Sequence, residues 1–218
     1  MKALIFCNGE GGTFHDPVEM SQMFKAQLEE QGFAVELHKD MACLEDGDHL
    51  KAMDLIVPNW TMGKLEGDHW KNVEAAVSSG TGLGGVHGGA GDAFRDNLGY
   101  QWLVGGQFVG HPYSGEYSVT VTAETSPITA GMPSPISYTS EQYYMLVDPV
   151  NRVLADTRYG DDESVVLPVV WTKMWKKGRV FYSALGHTAK EFRDCPEVLA
   201  MTIRGMVWAA EGKAVSGV

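Results

Sequence analysis

Short apolar runs alternate with amphipathic helical patterns over the first 86 residues, and this alternation constrains the fold more than any other feature. Strands are predicted at 3–7, 33–37, 54–57 and 83–86, and helices at 16–31 and 66–79. Strands separated by helices and short links are typical of a parallel sheet with helices on both faces. Right-handed crossovers leave few arrangements for such a chain. The sequence therefore predicts an α/β fold.

The pattern changes after residue 94 to shorter, alternating strands. Strands are predicted at 116–122, 141–147, 152–157, 165–171 and 179–184, a loop or short helix at 101–112, a loop at 126–135, and a closing helix at 196–211. Alternation of apolar and polar residues indicates half-exposed strands of antiparallel character. We expect a mostly parallel sheet with an antiparallel extension over 116–184. With 218 residues and no linker or repeat, a single domain over 1–218 is predicted.

Composition and charge exclude several classes of function. The formal net charge of −11 repels phosphate, so neither nucleic acid nor an anionic membrane is expected as a partner. No apolar run approaches the ~18 residues of a membrane span, and no secretory leader is evident. The three cysteines, Cys7, Cys43 and Cys195, follow no metal or redox spacing. These features favour a cytoplasmic protein with a small-molecule partner, and leave a homo-oligomer open.

A glycine-rich turn at 79–94 surrounds a single imidazole, His87, directly after a predicted strand. Glycine permits positive φ and close approach of the backbone to another group. Ligands of α/β sheets bind beyond the carboxyl ends of the strands. His87 is therefore a candidate site residue, and Gly88 and Gly89 are candidate ligand contacts. The competing interpretation is a structural histidine in a tight crossover.

Three further residues resemble His87 in setting. His111 lies in a predicted Gly-His-Pro loop, His187 follows the predicted strand 179–184, and Glu141 begins an aromatic run. A buried carboxylate needs a partner or a shifted pKa. We expect these four side chains to share one pocket at the carboxyl ends of the strands. The remaining histidines are interpreted as surface or structural: His15, His38, His49 and His69.

The predicted cluster is compatible with two kinds of chemistry. Neutral imidazoles bind zinc-like divalent ions, which makes His87, His111 and His187 candidate metal ligands. Imidazoles also titrate near neutral pH, and the four residues could serve as a metal-free acid/base set. No HExxH-type spacing decides between these alternatives, and both stay open.

Seven segments carry a resemblance to a known family. They are GLGGVHGGAGDAF (82–94), FVGHP (108–112), SPITAGMP (126–133), SEQYY (140–144), LPVVW (167–171), GRVFYSALGH (178–187) and GMVWAAEG (205–212). Together they resemble the ThuA-like (trehalose-utilisation) family of the class I glutamine amidotransferase-like superfamily. The resemblance implies a flavodoxin-like three-layer α/β/α fold.

The resemblance also implies a function in handling a trehalose-like glycoside or its keto-sugar derivative, with His87, His111, Glu141 and His187 as the catalytic set. This chain departs from the family pattern at Ser126-Pro127, where a histidine is usual, and at Ser140, where an aspartate is usual. Amidotransferases carry a cysteine nucleophile in the turn that here contains His87, so glutamine hydrolysis through a thioester is not expected.

Aromatic residues offer candidate sugar contacts. Trp60, Tyr113 and Tyr143 lie near the predicted pocket and could stack on the apolar faces of a sugar. Their competing interpretation is core packing. The alternative to an enzyme is a noncatalytic sugar-binding or regulatory protein on a degenerate amidotransferase fold, because fold alone does not fix function.

Overall fold

The structure is a computed structural model that describes residues 1–9, 15–160 and 163–215. Its first part alternates strands and helices as the sequence predicts. The elements are β1 (Lys2–Cys7), α1 (Pro17–Glu30), β2 (Ala34–His38), a 3₁₀ helix (Ala42–Leu44), α2 (Gly47–Ala52), β3 (Leu55–Asn59), α3 (Gly67–Ser79) and β4 (Gly82–Val86). All four predicted strands are confirmed within one or two residues.

The second part is dominated by long strands. The elements are α4 (His87–Ala90), α5 (Leu98–Val104), β5 (Gly106–Val121), β6 (Ile136–Val147), β7 (Arg152–Tyr159), β8 (Val165–Trp175), β9 (Gly178–Ser183), α6 (Ala189–Asp194) and α7 (Pro196–Val215). The prediction of a loop or short helix over 101–112 is corrected, because α5 is followed at once by β5. The glycines there are accommodated by two register shifts against β6, one on each side of Gly110.

The described residues form one nine-stranded sheet in the order β2-β1-β3-β4-β9-β8-β7-β5-β6. The strand pairs from β2 to β9 are parallel and those from β9 to β6 are antiparallel. The chain thus has an α/β fold with a large mixed sheet, and the antiparallel extension is confirmed. The sheet is not mostly parallel, because each half contributes the same number of strand pairs.

The core is built around the parallel half. Strands β1, β3 and β4 are buried along almost their whole length, as expected for strands covered on both faces. Helix α7 lies so close to β4 that a side chain at Gly82 would overlap the backbone of Ala209. In the described part of the chain, no helix combines the length and apolar character that a bilayer crossing requires.

The β5–β6 hairpin bends back across the sheet. Four strands lie between β4 and β6 in the sheet order, so five strand spacings of ~4.8 Å would place β6 about 24 Å from β4 in a flat sheet. The Glu141 carboxylate on β6 nevertheless lies 3.8 Å from Nε2 of His87, which follows β4. β5 pairs with β7 only over Val119–Val121, and the Gln142 amide donates to Thr157 Oγ1 at 2.9 Å. The bend therefore carries the middle of the hairpin to the carboxyl end of the parallel half.

Candidate functional site

The turn after β4 fixes His87 in the interior. The φ of His87 is 41°, in the left-handed region that residues other than glycine seldom adopt. Tyr182 Oη donates to the His87 carbonyl at 3.1 Å. The imidazole is 1% exposed, and its ring centroid lies 3.9 Å from that of Tyr143. The strained turn thus aims one buried imidazole at the hairpin.

The loop after β1 supplies a second imidazole, His15. Its ring centroid lies 5.0 Å from that of His87 and 4.8 Å from that of His187. Its Nδ1 lies 2.7 Å from the hydroxyl of Thr61, which follows β3. Gly88 faces this ring, and any Cβ at position 88 would overlap it. His15 is therefore buried and not on the surface, because β1 and β4 both flank β3 and their carboxyl ends lie close together.

A hydrogen-bonded clamp holds the turn that carries His187. The amide of His187 donates to Glu191 Oε2 at 3.0 Å, and the amide of Gly186 donates to Tyr138 Oη at 2.9 Å. Tyr138 Oη in turn donates to Glu191 Oε2 at 2.6 Å. Tyr138 is on β6, so the hairpin holds the end of the parallel half through this contact.

Glu141 is the point on which the imidazoles converge. Its carboxylate oxygens lie 3.8 Å from His87 Nε2, 3.4 Å from His187 Nδ1 and 3.8 Å from His111 Nε2. Its backbone carbonyl accepts from Tyr117 Oη at 3.3 Å. The structure therefore brings together the four side chains selected from the sequence.

Glu141 and His111 reach the site differently from the way the sequence predicts. Glu141 lies in the middle of β6, not at the start of a strand, and His111 lies within β5, not in a loop. His111 is in the irregular stretch between Gly110 and Tyr113, where β5 holds an extra residue against β6. Both therefore enter through the bend of an antiparallel hairpin. The carboxyl ends of parallel strands supply the other three side chains.

Four residues offer ligand atoms that all lie within 4.8 Å of one another: His15, His87, Glu141 and His187. Ligand atoms bound at about 2.1 Å to a tetrahedral ion are about 3.4 Å apart, close to the His187–Glu141 distance. His111 is outside this set and is 48% exposed along its side chain. This group shares His87, Glu141 and His187 with the residues selected from the sequence and includes His15 in place of His111.

Burial keeps two of the imidazoles neutral. Desolvation, followed by the neighbouring His187 and His111, lowers the pKa of His15 from 6.5 to about 4. Desolvation, followed by His15, His187 and His111, lowers the pKa of His87 well below 6.5. Both ring nitrogens of His87 and Nδ1 of His187 are buried and have no hydrogen-bond partner among the described residues. The neutral nitrogens of His87, which have no such partner, are suited to binding an electrophile.

Comparison with known proteins places the chain in a family. The sequence profile of ThuA, described as trehalose utilisation, matches residues 2–209. The chain belongs to the ThuA family. No curated protein sequence matches it.

Solved structures agree with the ThuA fold. A ThuA-like protein from Bacteroides uniformis superposes with a TM-score of 0.78 at 19% identity, over 96% of this chain and 91% of that one. A ThuA-like protein from Parabacteroides merdae gives 0.76 at 19% identity, over 98% and 91%. A β-galactosidase from Rahnella sp. R3 gives 0.59 at 20% identity, over 94% of this chain but 31% of the enzyme. At these identities the likeness concerns the fold alone.

The remaining residues selected from the sequence differ in their burial. Gly89 packs against the Asn59 side chain, and its carbonyl accepts from the Trp60 amide at 2.8 Å. Trp60 is partly buried, and its ring centroid lies 6.4 Å from that of Phe6. Tyr143 is 2% exposed and forms the wall behind His87, whereas Tyr113 is 43% exposed and lies further along β5. The surface interpretation of three histidines is consistent with their partly exposed side chains: His38, His49 and His69.

Proposed function

We propose that this protein acts on a sugar or keto-glycoside through a centre that binds one divalent, zinc-like ion with His15, His87, Glu141 and His187. The observation that carries the proposal is the buried His87 ring, whose two nitrogens have no partner among the described residues. A buried polar group without a hydrogen bond costs about 1–3 kcal/mol. A bound ion would remove that cost at Nε2.

The donor set suits such an ion. Three imidazoles and a carboxylate match the ligands of zinc and related transition metals, and the lowered pKa values of His15 and His87 keep those ligands in the neutral form that coordination requires. A ligating histidine usually donates its second ring N–H to a neighbour. The contact between His15 Nδ1 and the Thr61 hydroxyl has this form, and we assign Nε2 to the metal.

The position of the centre within the sheet supports a ligand site. We infer that the parallel half is a flavodoxin-like three-layer unit, because its order β2-β1-β3-β4-β9 corresponds to the 2-1-3-4-5 order of that fold. In that fold, ligands bind where the strand order reverses, between the first and third strands. His15 follows β1 and Thr61 follows β3.

Each part of the centre has a distinct chemical capacity. A bound ion would polarise a carbonyl or hydroxyl of the substrate. His111 is the most exposed of the four imidazoles around Glu141, and its Nε2 faces the Glu141 oxygen Oε1. We assign it proton exchange with the substrate, with Glu141 orienting its ring. Membership of a trehalose-utilisation family supports a sugar as the substrate class.

Metal analysis combined with turnover tests the proposal. Purified protein is expected to contain about one equivalent of metal and to turn over a keto-glycoside. His15→Ala, His87→Ala and His187→Ala should lose the metal, whereas His111→Ala should keep the metal and lose turnover. His69→Ala is the matched surface control.

The outcomes separate the alternatives. Turnover that requires His87 in metal-free protein would replace the ion with an acid/base set. Sugar binding without turnover across a panel of glycosides would favour a noncatalytic sugar-binding or regulatory protein.

A further inference from the structure

A second cavity lies at the bend of the β5–β6 hairpin, outside the histidine centre. Its volume is about 570 Å³, within the ~300–1,000 Å³ typical of sites for small ligands. Pro112 and Gln142 line it, and they directly follow His111 and Glu141 in the chain. The two hairpin strands therefore form a common wall between the cavity and the centre.

Three tyrosine rings line this cavity, and two of them are tethered to the backbone. Tyr113, Tyr117 and Tyr159 line it, and Tyr113 is 43% exposed. The hydroxyl of Tyr113 donates to the Glu116 carbonyl, and that of Tyr117 to the Glu141 carbonyl, each at 3.3 Å. Tethering the hydroxyls to the backbone limits the motion of the rings. A ring held in this way offers an apolar face at little cost in side-chain entropy.

The charged groups of the cavity are mixed in sign. Arg158 lines it and forms no ion pair within 4.0 Å among the described residues, unlike Arg95, Arg152 and Arg193. Glu116 and Glu163 line the same cavity, and Glu116 Oε1 accepts from Ser137 Oγ at 2.6 Å. Hydroxyl groups both donate and accept hydrogen bonds, so a neutral polyol satisfies an arginine and a glutamate together. The net charge of −11 disfavours an anion.

We propose that this cavity is a second carbohydrate-binding site, which stacks a neutral sugar on Tyr113 and Tyr159 and binds its hydroxyls through Arg158 and Glu116. The proposal rests on the proposed function for the class of ligand and on the geometry of the hairpin for the site. A sugar bound there lies on the opposite side of the strands from Glu141. It is therefore held by residues that take no part in the metal centre.

Saturation-transfer NMR and calorimetry test this site with trehalose, maltose, sucrose and glucose as probes. The double variant Tyr113→Ala/Tyr159→Ala is expected to weaken the bound sugar at least 10-fold, and Arg158→Met to weaken it to a similar extent. Tyr113→Phe retains the ring and loses only its tether to the Glu116 carbonyl, so it should bind within about threefold of wild type. Trp102→Ala removes an aromatic side chain that is 64% exposed elsewhere and serves as the control. Thermal unfolding and metal content are recorded for every sample.

The two proposals fail in distinguishable ways. Sugar binding that His87→Ala leaves intact and the tyrosine variant abolishes supports the second site. Sugar binding that is insensitive to both the tyrosine variant and Arg158→Met overturns the second site. Failure of all four sugars to bind to protein with a normal metal content also overturns it. Protein without metal or turnover but with sugar in the cavity overturns the proposed function alone. If the double variant does not fold, Arg158→Met decides.

Discussion

The two halves of the sheet build the site in contrasting ways. The parallel half contributes His15, His87 and His187 from turns at the carboxyl ends of β1, β4 and β9. The antiparallel half contributes Glu141 and His111 from the interior of two long strands that bend across it. Three imidazoles are therefore fixed by strand ends, whereas the carboxylate is delivered by an element paired to the rest of the sheet over only Val119–Val121.

This difference indicates where the site can adjust. The turn at His87 is buried beneath Tyr143 and restrained by Tyr182, and β4 is buried on both sides. The hairpin has register irregularities around Gly110, and its strands extend well beyond the short stretch that pairs with β7. We infer that the parallel half presets the imidazoles and that the position of Glu141 determines whether the centre is closed.

Removal of the metal is expected to have the largest effect on stability, and to loosen the two halves of the sheet to different extents. A ligand present at about 1,000 times its dissociation constant stabilises a protein by about 4 kcal/mol, so chelation should lower the free energy of unfolding by a similar amount. The ion would join His15, His87 and His187 to Glu141. Hydrogen exchange should consequently rise in β5 and β6 upon chelation, with little change in β1 and β4. Equal loosening of both halves would contradict the comparison.

Acid should destabilise the metal-free protein through the parallel half. The pKa of His15 falls from 6.5 to about 4 on folding. Between these two pH values the unfolded chain binds a proton at His15 and the folded chain does not. The free energy of unfolding therefore declines as the pH drops from about 6.5 towards 4, by up to about 3 kcal/mol for this group. Urea unfolding in chelator should show a shallower decline for His15→Gln than for wild type.

The control for the acid experiment is His69→Gln, which removes a partly exposed histidine. It should keep the wild-type decline. A wild-type decline in His15→Gln as well would show that burial of His15 does not set the pH dependence.

Ligand substitutions compare the halves residue by residue. His87→Ala removes a buried nitrogen from a rigid turn, and we expect metal affinity to fall at least about 100-fold, beyond the 10–100-fold typical of outer-shell changes. Glu141→Gln keeps an oxygen donor but loses its charge, and should weaken binding by about 10–100-fold. His111→Ala should leave affinity within about threefold. Calorimetric titration of zinc into chelated protein measures all three, and a large loss in His111→Ala would restore that residue to the ligand set.

The sequence predicts the parallel half far better than the hairpin. Runs such as 3–7 and 83–86 are apolar because both faces are covered, and that local signal suffices to place His87 and His187 at strand ends. The rule that site residues lie just beyond strand ends would also have selected His15, which lies in the loop after β1. The Thr188-Glu191 spacing, a capping-box signal, would have predicted α6.

The hairpin is harder to predict from the sequence because its geometry depends on pairing between residues that are far apart in the chain. Nothing local to Glu141 shows that β6 bends until Gln142 meets Thr157, so its place in mid-strand could not be predicted. The glycines near His111 indicate a loop, but pairing with β6 and a bulge turn them into strand. Long-range pairing, and not composition, decides both cases.

A smaller effect than that of either ligand substitution is expected from the contact through which the hairpin holds His187. Tyr138 Oη donates to Glu191 and accepts from the Gly186 amide, and Tyr138→Phe removes both bonds while keeping the buried ring. The metal ligands remain, so the affinity for metal should fall only about 10-fold, the lower end of outer-shell effects.

Tyr117→Phe is the matched control, because its hydroxyl bonds the Glu141 backbone instead of the His187 turn. If the clamp acts through His187, the NMR signal of that imidazole should broaden in Tyr138→Phe and stay sharp in Tyr117→Phe. Identical metal affinity and an unchanged His187 signal in Tyr138→Phe would show that the parallel half positions its imidazoles without help from the hairpin.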